Sequence, residues 1–544
     1  MTHDSHPAVP QVNRWIVSIS VVFATFMEVL DTTVVNVSLP HIGGTMSATV
    51  EEATWVLTSY LVANAIILPM TGWLARHFGR KRLLLFAVTG FTVSSVLCGL
   101  APNLESLIIF RIFQGLSGGT MQPMSQAIML EAFPPEDRGK AMAFWGLCIV
   151  VAPIFGPVIG GWLTDSFSWR WVFYINIPVG IVSFVMARLF VFDPPYLRRE
   201  SSHVDYWGIG MLAVGMGSLQ ILLDKGELED WFSSNTMVML AIIATVGLVA
   251  FVAREMMASH PVVNLRILKN RTFATGVFMI SVLGFVLYGS LVLLPILLQT
   301  LLGYPALEAG IAMAPRGIGS LIATPIIGAL LGYIGARRAL SFGVITGSIT
   351  LFWLGALNLN AGYWDVFWPQ IIQGLALGCM FVPLTTIAMD PIPREQTGNA
   401  TSLFNMMRNI GGSCGIAFSA TLLARDRQIY TNLLVQHVNP YSIQSRIVLN
   451  QLKSAAVAGG ADAVSASQRS YGMIFGIIQR QASMMAFVDV FRIMAAIFLI
   501  IVPFIWIAKQ PRLRKSGSIG PQAQAASAKP TAQGDPPPAV ELPH

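Results

Sequence analysis

Two carboxylates, Glu28 and Asp31, lie about one helical turn apart inside the first long hydrophobic stretch of the chain, residues 15–39. An ionised side chain in the middle of a bilayer costs about 2.5 to 3.5 kcal/mol on insertion scales, so it is usually retained for transport or binding. Two acids this close are expected to titrate as a pair. The pair therefore predicts proton coupling, and either carboxylate is a candidate carrier of the proton.

Arg111 is the expected counter-charge of these acids. It lies in a later hydrophobic stretch, within Arg111-Ile-Phe-Gln114-Gly115. Arginine keeps its charge when it is buried, so it demands acceptors and favours ionisation of a nearby acid. A purely structural ion pair is the alternative. We predict Asp31, Glu28 and Arg111 as the proton-coupling residues.

Amide side chains and further arginines lie in several other hydrophobic stretches. Mixed with methionine and aromatic residues, they are typical of a roomy, mostly apolar cavity with a few hydrogen-bonding groups, although many would simply bridge helices. Arg316 and Arg408 could instead lie near helix ends and extend to the membrane surface. The predicted cavity residues are Asn36, Gln114, Gln122, Gln126, Gln299, Gln373, Asn405 and Arg408.

Small residues and prolines are concentrated around residues 152–161. Gly156, Pro157, Gly160 and Gly161 belong to this run. Small residues spaced by four allow helices to approach closely, and proline kinks or softens a helix. The run therefore predicts a hinge or a sliding surface, with ordinary tight packing as the alternative.

The whole composition indicates an integral membrane protein. Of 544 residues, 54% are hydrophobic and 11% are charged, whereas soluble domains carry about 25% charged residues. We count fourteen apolar stretches of about 17 to 25 residues, the length that a membrane-spanning helix needs. Strand-like alternation is absent from the sequence, so we predict an all-α membrane fold.

The distribution of Lys and Arg predicts the orientation. Basic residues fall in the loops that would be cytoplasmic if the N-terminus is inside, and few fall in the opposite loops. Fourteen spans with both termini cytoplasmic satisfy this pattern. The net charge of +7 is then explained by the cytoplasmic loops, and no nucleic-acid partner is needed.

No catalytic motif is recognisable in the sequence. It contains no phosphate-binding GxxxxGK[ST] loop and no HExxH. The four cysteines occur singly inside hydrophobic stretches and lack metal-ligand spacing, so we expect packing roles. We therefore predict a protein that is not an enzyme, without cofactor or metal.

An internal duplication organises the chain. Gly72 and Gly79, which precede basic residues, match Gly328 and Gly335, which also precede a basic pair. Further along, Gln114-Gly115 recurs as Gln373-Gly374, and Gly139 recurs as Gly398. Parallel repeats are a known plan of transporters, with the substrate path between the halves.

The duplication and the spans together predict six segments. The ranges are a cytoplasmic tail (1–13), a six-helix half (14–195), two inserted helices (196–262), a second six-helix half (263–510) with an outer loop (424–485), and a disordered cytoplasmic tail (511–544). Within the outer loop, 428–438 and 443–456 are predicted amphipathic helices separated by Asn439-Pro440. They would form either a solvated hairpin or an interface for a partner.

These residues resemble the signatures of one transporter family. The loop Gly72-x-Leu-Ala-x-x-x-Gly79-Arg80-Lys81, the run Arg111-x-x-Gln114-Gly115 and the run Gly156-Pro157-x-x-Gly160-Gly161 are similar to those of major facilitator superfamily antiporters. Leu30-Asp31-Thr-Thr-Val-Val-Asn36 and Trp169-Arg-Trp-Val-Phe-Tyr-Ile-Asn176 narrow the resemblance to the fourteen-span drug:proton antiporters of the EmrB/QacA type. The resemblance covers about residues 14–510.

The resemblance implies a major facilitator fold and export of hydrophobic or amphipathic compounds against proton entry by alternating access. It implies a coupling role for Asp31, proton or substrate handling for Arg111, and gating by the loop that contains Gly72, Arg76, Gly79, Arg80 and Lys81. The family usually has an acid where this chain has Arg76, which puts the usual latch of that loop in doubt. Glu28 is an acid that the signature does not demand.

Other functions share part of this evidence. A proton symporter that imports a nutrient would have the same fold and charges, and a sensor or scaffold would bind without flux. For the exporter, the resemblance implies the bacterial inner membrane, lipophilic substrates and antibiotic resistance. It also implies a periplasmic adaptor and an outer-membrane channel as partners.

Overall fold

The computed structural model describes residues 13–134, 137–193, 205–258, 261–438 and 441–507. The predicted disordered tail 511–544, nearly all of the predicted tail 1–13, and Asn439-Pro440 lie outside these residues. The first part of the chain forms ten helices: α1 (Arg14–Met46), α2 (Val50–Ala53), α3 (Trp55–Ile67), α4 (Thr71–Phe78), α5 (Arg80–Leu100), α6 (Leu104–Gly118), α7 (Met121–Ala132), α8 (Arg138–Ser166), α9 (Trp171–Tyr174) and α10 (Asn176–Phe190).

Ten more α-helices follow. They are α11 (Tyr206–Lys225), α12 (Asn235–Met257), α13 (Arg271–Ile296), α14 (Ala306–Ile334), α15 (Ala336–Leu354), α16 (Tyr363–Met389), α17 (Thr397–Val435), α18 (Ile443–Ala458), α19 (Ala463–Leu499) and α20 (Ile501–Ile507). Four 3-10 turns connect helices, at Leu68–Met70, Trp231–Ser233, Leu265–Lys269 and Arg394–Gln396, and α13 continues into a π-helical turn at Leu297–Leu301.

Helices cover all of the predicted spans, and the described residues contain no strand. Eleven helical segments of the described chain are long and apolar enough to cross a membrane. The three other predicted spans fall on residues 104–132, which are broken at Gly119-Thr120, on α15, and on the polar-rich α17. The protein is a multi-pass, all-α membrane protein, and the count of fourteen crossings stays a prediction.

The predicted loop 424–485 is more helical than the sequence indicated. The predicted helix 428–438 is the continuation of α17, which runs unbroken to Val435, and the predicted helix 443–456 is α18. α19 begins at Ala463, more than twenty residues before the end of the predicted loop at residue 485. The reason is that polar residues do not end a helix by themselves, so α17 and α19 continue beyond their apolar parts.

The packing of the helices follows the predicted duplication. α1 packs against α8, and α3 against α6; correspondingly, α13 packs against α17, and α14 against α16. Gly79 ends α4 with a φ of 87°, and its counterpart Gly335 ends α14 with a φ of 84°. A side chain is strained in this left-handed region, which explains why glycine recurs there. α11 and α12 pack on each other, and α11 also contacts α3 and α17.

Candidate functional site

Asp31 and Arg111 form a buried ion pair at the junction of α1, α6 and α10. Arg111 Nη1 donates to Asp31 Oδ2 at 2.6 Å, and both side chains are inaccessible to solvent. The other carboxylate oxygen, Oδ1, accepts from Asn176 Nδ2 at 2.7 Å and from Gln114 Nε2 at 3.1 Å. Asp31 therefore accepts three hydrogen bonds, one of them from the charged guanidinium of Arg111.

The guanidinium of Arg111 is held by several further groups. Its Nε donates to the Val56 carbonyl at 3.0 Å, and Nη1 also donates to Gln114 Oε1 at 2.7 Å. The Tyr60 ring lies 4.3 Å from the guanidinium carbon, at a distance suited to a cation–π contact. Nη2 has no acceptor among the described residues. The pair is thus well bonded but retains one unused donor.

Glu28 points to a different place from Asp31, although the two lie on the same helix. Its Oε1 accepts from Asn64 Nδ2 at 3.0 Å, and the residue is 3% exposed. Its Oε2 has no donor at bonding geometry among the described residues, although the Gln122 side chain lies beside it. The two acids therefore differ: Asp31 is paired with Arg111, whereas the Glu28 carboxylate is only partly hydrogen-bonded.

Glu28 lines an internal cavity of about 250 Å³. α1, α3, α7, α8, α11, α13 and α17 all contribute to the wall, which mixes apolar side chains with amides, hydroxyls and two acids. Of the predicted coupling and cavity residues, Glu28, Asn36 and Gln122 line it. Its further polar lining residues are Thr32, Thr33, Tyr60, Asn64, Gln220, Asp224, Tyr288, Asn409 and Ser413.

The other predicted cavity residues do not line this cavity. Gln114 is bonded to the Asp31–Arg111 pair, and Asn405 Nδ2 donates to Gln126 Oε1 at 2.5 Å. Gln373 Oε1 accepts from Gln370 at 3.4 Å, and Gln299 is exposed in the π-helical turn. A buried amide needs a polar partner, so several of these amides join helices instead of facing a cavity.

Neither Arg316 nor Arg408 extends to the membrane surface, contrary to the alternative that the sequence left open. Arg316 is 3% exposed within α14, and Arg408 is fully buried within α17. Arg408 Nη2 donates to Gln122 Oε1, and its guanidinium carbon lies 5.9 Å from the Trp145 ring. Arg408 therefore lies behind the cavity wall and fixes Gln122, without lining the cavity itself.

The predicted gating loop connects α4 with α5. Arg80 forms an ion pair with Glu131 of α7, and the backbone N–H of Lys81 donates to Asp193 Oδ1 at 2.8 Å. The Lys81 ammonium lies 4.8 Å from the Phe192 ring. Arg76 is half-buried in the last turn of α4. Acids after α10 and in α7 thus contact this loop, although the loop itself carries Arg76 where the family has an acid.

Two close contacts join the repeats near this loop. Gly72 of α4 packs against Asn399 of α17, so closely that an added Cβ would strike it. Gly139 of α8 packs against Gly328 of α14, whose carbonyl oxygen would lie 3.4 Å from an added Cβ. Gly72 and Gly328 are counterparts in the duplication, so the two contacts are related by the repeat.

The predicted antiporter segment lies directly against α1. An added Cβ on Gly156 would strike Thr33, and one on Gly160 would lie 2.7 Å from the Val34 carbonyl oxygen, whereas Gly161 is 4.0 Å from its nearest neighbour, Val37. α8 is continuous through Pro157. The small residues thus bring α8 onto the part of α1 that carries Glu28 and Asp31.

Sequence reasoning missed several residues of the site. Asn176 lies within a run already matched to a family signature, so that run was an available signal. Tyr60 carried no such signal. Asp224 and Gln220 belong to α11, which the duplication placed outside both repeats, yet both line the cavity. A carboxylate at the end of an apolar stretch looks like an ordinary boundary residue, and only the packing of α11 against α3 and α17 brings Asp224 to the cavity.

Comparison with known proteins is consistent with this architecture. Residues 21–416 match the Major Facilitator Superfamily. A crystal structure of the human organic anion transporter MFSD10 (TETRAN) covers 91% of this chain and 100% of its own, with a TM-score of 0.60 and 12% identity. At this identity, the likeness concerns the fold alone.

Curated relatives are much closer in sequence. The multidrug export protein EmrB of Haemophilus influenzae is 38% identical over 499 residues, covering 91% of this chain and 96% of the relative. The EmrB of Escherichia coli is 36% identical over 498 residues, with 91% and 95% coverage. The fatty acid resistance protein FarB of Neisseria gonorrhoeae is 37% identical over 500 residues, with 91% and 96% coverage. The chain belongs to the Major Facilitator Superfamily and, by these relatives, to its EmrB type.

Proposed function

We propose that this protein is a multidrug efflux transporter that exports hydrophobic and amphipathic compounds in exchange for protons. The observation that carries the proposal is the buried Asp31–Arg111 pair beside a polar-lined cavity, with Glu28 in the cavity wall. The EmrB relatives, which are named as multidrug export proteins, support the direction of transport. They do not favour the importing symporter. A transporter of this kind needs no catalytic residues.

The proton is proposed to act on the Asp31–Arg111 pair. Protonation of Asp31 removes its charge, and Arg111 then loses its charge-assisted bond of 2.6 Å. Because Nη2 has no acceptor, Arg111 is ready to bond a different group after this release. Glu28 lies about one turn from Asp31 on α1, so a shift of that helix would also move Glu28 in the cavity wall. Proton binding and substrate binding are coupled through α1 in this scheme.

Alternating access is proposed to involve two six-helix halves, 14–195 and 263–510, with 196–262 inserted. The contacts of Gly72 with Asn399 and of Gly139 with Gly328 would close the cytoplasmic side and separate when the cavity opens inward. Because α8 packs closely on α1, a movement of α8 during this opening would also displace α1 and Asp31. Both termini are proposed to be cytoplasmic, in the inner membrane of a bacterium with two membranes.

A periplasmic adaptor, leading to an outer-membrane channel, is the proposed partner. The helices beyond the apolar parts of α17 and α19 support this, since several apolar side chains there are exposed: Ile443 is 68%, Ile447 51%, Val464 69% and Tyr471 60% exposed. Exposed apolar patches are typical of interaction surfaces. Deletion of 428–480 should abolish the co-purification of a periplasmic adaptor, and unchanged recovery would contradict the partner.

Efflux in proteoliposomes tests the function. Purified protein is reconstituted with its cytoplasmic side outward, a lipophilic fluorescent dye is supplied outside, and an acidic lumen provides the gradient. Uptake that requires the gradient is expected from the wild type and not from Asp31→Asn with Arg111→Gln, a neutral pair. Asp165→Asn, an exposed acid on α8, is the control. Full-rate transport by the neutral pair would contradict coupling at Asp31. Uptake driven by the opposite gradient, in which protons and dye enter the lumen together, would indicate symport.

A further inference from the structure

We infer that the inserted helix α11 completes a subsite for the positive charge of a lipophilic organic cation, formed by Asp224 and Glu28. The inference rests on the proposed export function, because it assigns a substrate class to the same cavity. The two acids come from different parts of the chain: Glu28 from the first repeat, and Asp224 from the helices that the duplication leaves outside both repeats.

The charges that face the cavity are all negative in the part of the chain that the structure describes. Glu28 and Asp224 line it, and no Lys or Arg does. Two cations close to these acids, Lys225 and Arg408, are bonded to other groups. Lys225 Nζ donates to Thr54 and lies 5.2 Å from the Trp55 ring, and Arg408 donates to Gln122 behind the wall. They offset part of the acidic charge, but a ligand in the cavity would meet the carboxylates first.

Both acids have acceptor capacity left for a ligand. Glu28 is 3% exposed and its Oε2 has no donor at bonding geometry. Asp224 accepts from Thr58 Oγ1, lines the cavity and is exposed. A carboxylate can accept about four hydrogen bonds, so neither group is saturated. A buried acceptor without a partner is costly, and a bound cation would remove this cost.

The remaining wall suits the rest of such a molecule. The rings of Tyr60 and Tyr288 line the cavity together with Leu61, Leu223 and Leu291. Aromatic faces attract organic cations, and apolar side chains bury their hydrocarbon parts. An anionic compound of the same shape would be repelled by both carboxylates. We therefore expect the cavity to bind a cation more tightly than an anion of the same shape.

Tetraphenylphosphonium and tetraphenylborate test this directly, because they have nearly the same shape and opposite charges. Binding of each to the purified protein in detergent is measured by titration calorimetry. The wild type should bind the cation at least about tenfold more tightly than the anion. Equal affinity, or preference for the anion, would overturn the subsite without requiring any variant.

Substitution of Asp224 assigns the preference to α11. Asp224→Asn should weaken tetraphenylphosphonium binding roughly tenfold and leave tetraphenylborate binding nearly unchanged or slightly tighter. Asp224→Glu should retain most of the affinity for the cation. Glu229→Gln is the matched control, because Glu229 lies just after α11, is exposed and does not line the cavity. A parallel loss of both ligands in Asp224→Asn, or no loss of either, would overturn the role of Asp224.

Transport separates this inference from the proposed function. Wild-type protein that shows no gradient-driven flux of any lipophilic dye contradicts the exporter. A different outcome contradicts only the cation subsite. In it, the wild type exports a neutral dye, and Asp224→Asn transports cationic and neutral dyes in the same ratio as the wild type. The expected result is a roughly tenfold fall in the ratio of cationic to neutral flux in Asp224→Asn, and no change in Glu229→Gln.

Discussion

The two repeats have different polar centres at corresponding positions. In the first repeat, Arg111 and Gln114 of α6 bond to Asp31; in the second, α16 carries Gln370 and Gln373, which bond to each other. An added Cβ on Gly115 would strike the Tyr60 carbonyl, and one on Gly374 would strike the carbonyl of Arg316. Arg316 therefore stands where the first repeat has Tyr60, and its Nε lacks an acceptor among the described residues.

This difference indicates where the proton acts. Similar backbones hold an acid paired with a base in one half and neutral amides in the other, so the fold itself does not require an ion pair. A buried pair is costly to assemble and often contributes little net stability, so a functional reason is expected where it is kept. The comparison therefore supports the proposal that the proton acts in the first repeat.

Removal of the acid alone should have the largest effect. Asp31→Asn leaves the Arg111 charge buried without a counter-charge, and we expect a loss of about 3 to 5 kcal/mol in the free energy of unfolding together with loss of coupled flux. Thermal unfolding of the purified protein measures the first and proteoliposome flux the second. A variant with wild-type thermal stability would show that the pair is not needed to compensate Arg111.

Conversion of the first centre to the chemistry of the second should separate stability from transport. Asp31→Asn combined with Arg111→Gln produces two neutral amides beside Gln114, as in the second repeat. Unfolding should return to within about 1 kcal/mol of the wild type, while gradient-driven flux stays absent. If the double variant is as unstable as the single one, the two centres are not interchangeable and the comparison fails.

Matched glycine substitutions test whether the corresponding helix contacts are equivalent. Gly156 packs on Thr33 in the first repeat, and Gly415 packs on the Phe285 carbonyl in the second. Gly156→Val and Gly415→Val should each cost about 1 to 3 kcal/mol, because either side chain forces the helices apart. Gly161→Val is the control, since its nearest neighbour is 4.0 Å away. A control as unstable as the other two would mean that helix propensity, and not the contact, causes the loss.

Neutralisation of Arg316 should have a small effect. No acid is paired with it in the described residues, so Arg316→Gln removes a buried charge without stranding a partner. We expect stability equal to the wild type or higher by about 1 kcal/mol, and proton-driven flux that persists. Loss of the pH-gradient dependence in this variant would place part of the coupling in the second repeat.

The smallest effect is expected at Asp205, which precedes α11, the first of the two inserted helices. The hydrogen bond from Arg254 lowers the pKa of Asp205 below its usual 3.8. A lowered pKa contributes stability that is present above the usual value and is lost as the pH falls through the lowered one. The difference in melting temperature between the wild type and Asp205→Asn should thus be constant above pH 5 and shrink below about pH 4. A difference that stays constant at low pH would contradict this link.

The sequence alone was sufficient for much of this protein. Apolar length predicted the helices, since the predicted spans fall on helical segments, one of them on α6 and α7 together. The matched glycines, such as Gly79 and Gly335, identified the duplication. The acid at Asp31 and the base at Arg111 were likewise predicted, because a charge in an apolar stretch demands a partner. These features follow from composition and local spacing, which a sequence displays directly.

Tertiary packing decided which of these residues meet. Glu28 and Asp31 share a helix, yet their side chains diverge by about a sixth of a turn, so one faces the cavity and the other faces Arg111. Two of the predicted cavity amides, Gln126 and Asn405, bond to each other, and Asp224 enters the site from helices outside the repeat. Sequence periodicity assigns a residue to a helix, but long-range packing determines which residues of other helices contact its side chain. Those contacts decide whether a polar side chain is fully hydrogen-bonded within the protein or can still bind a ligand.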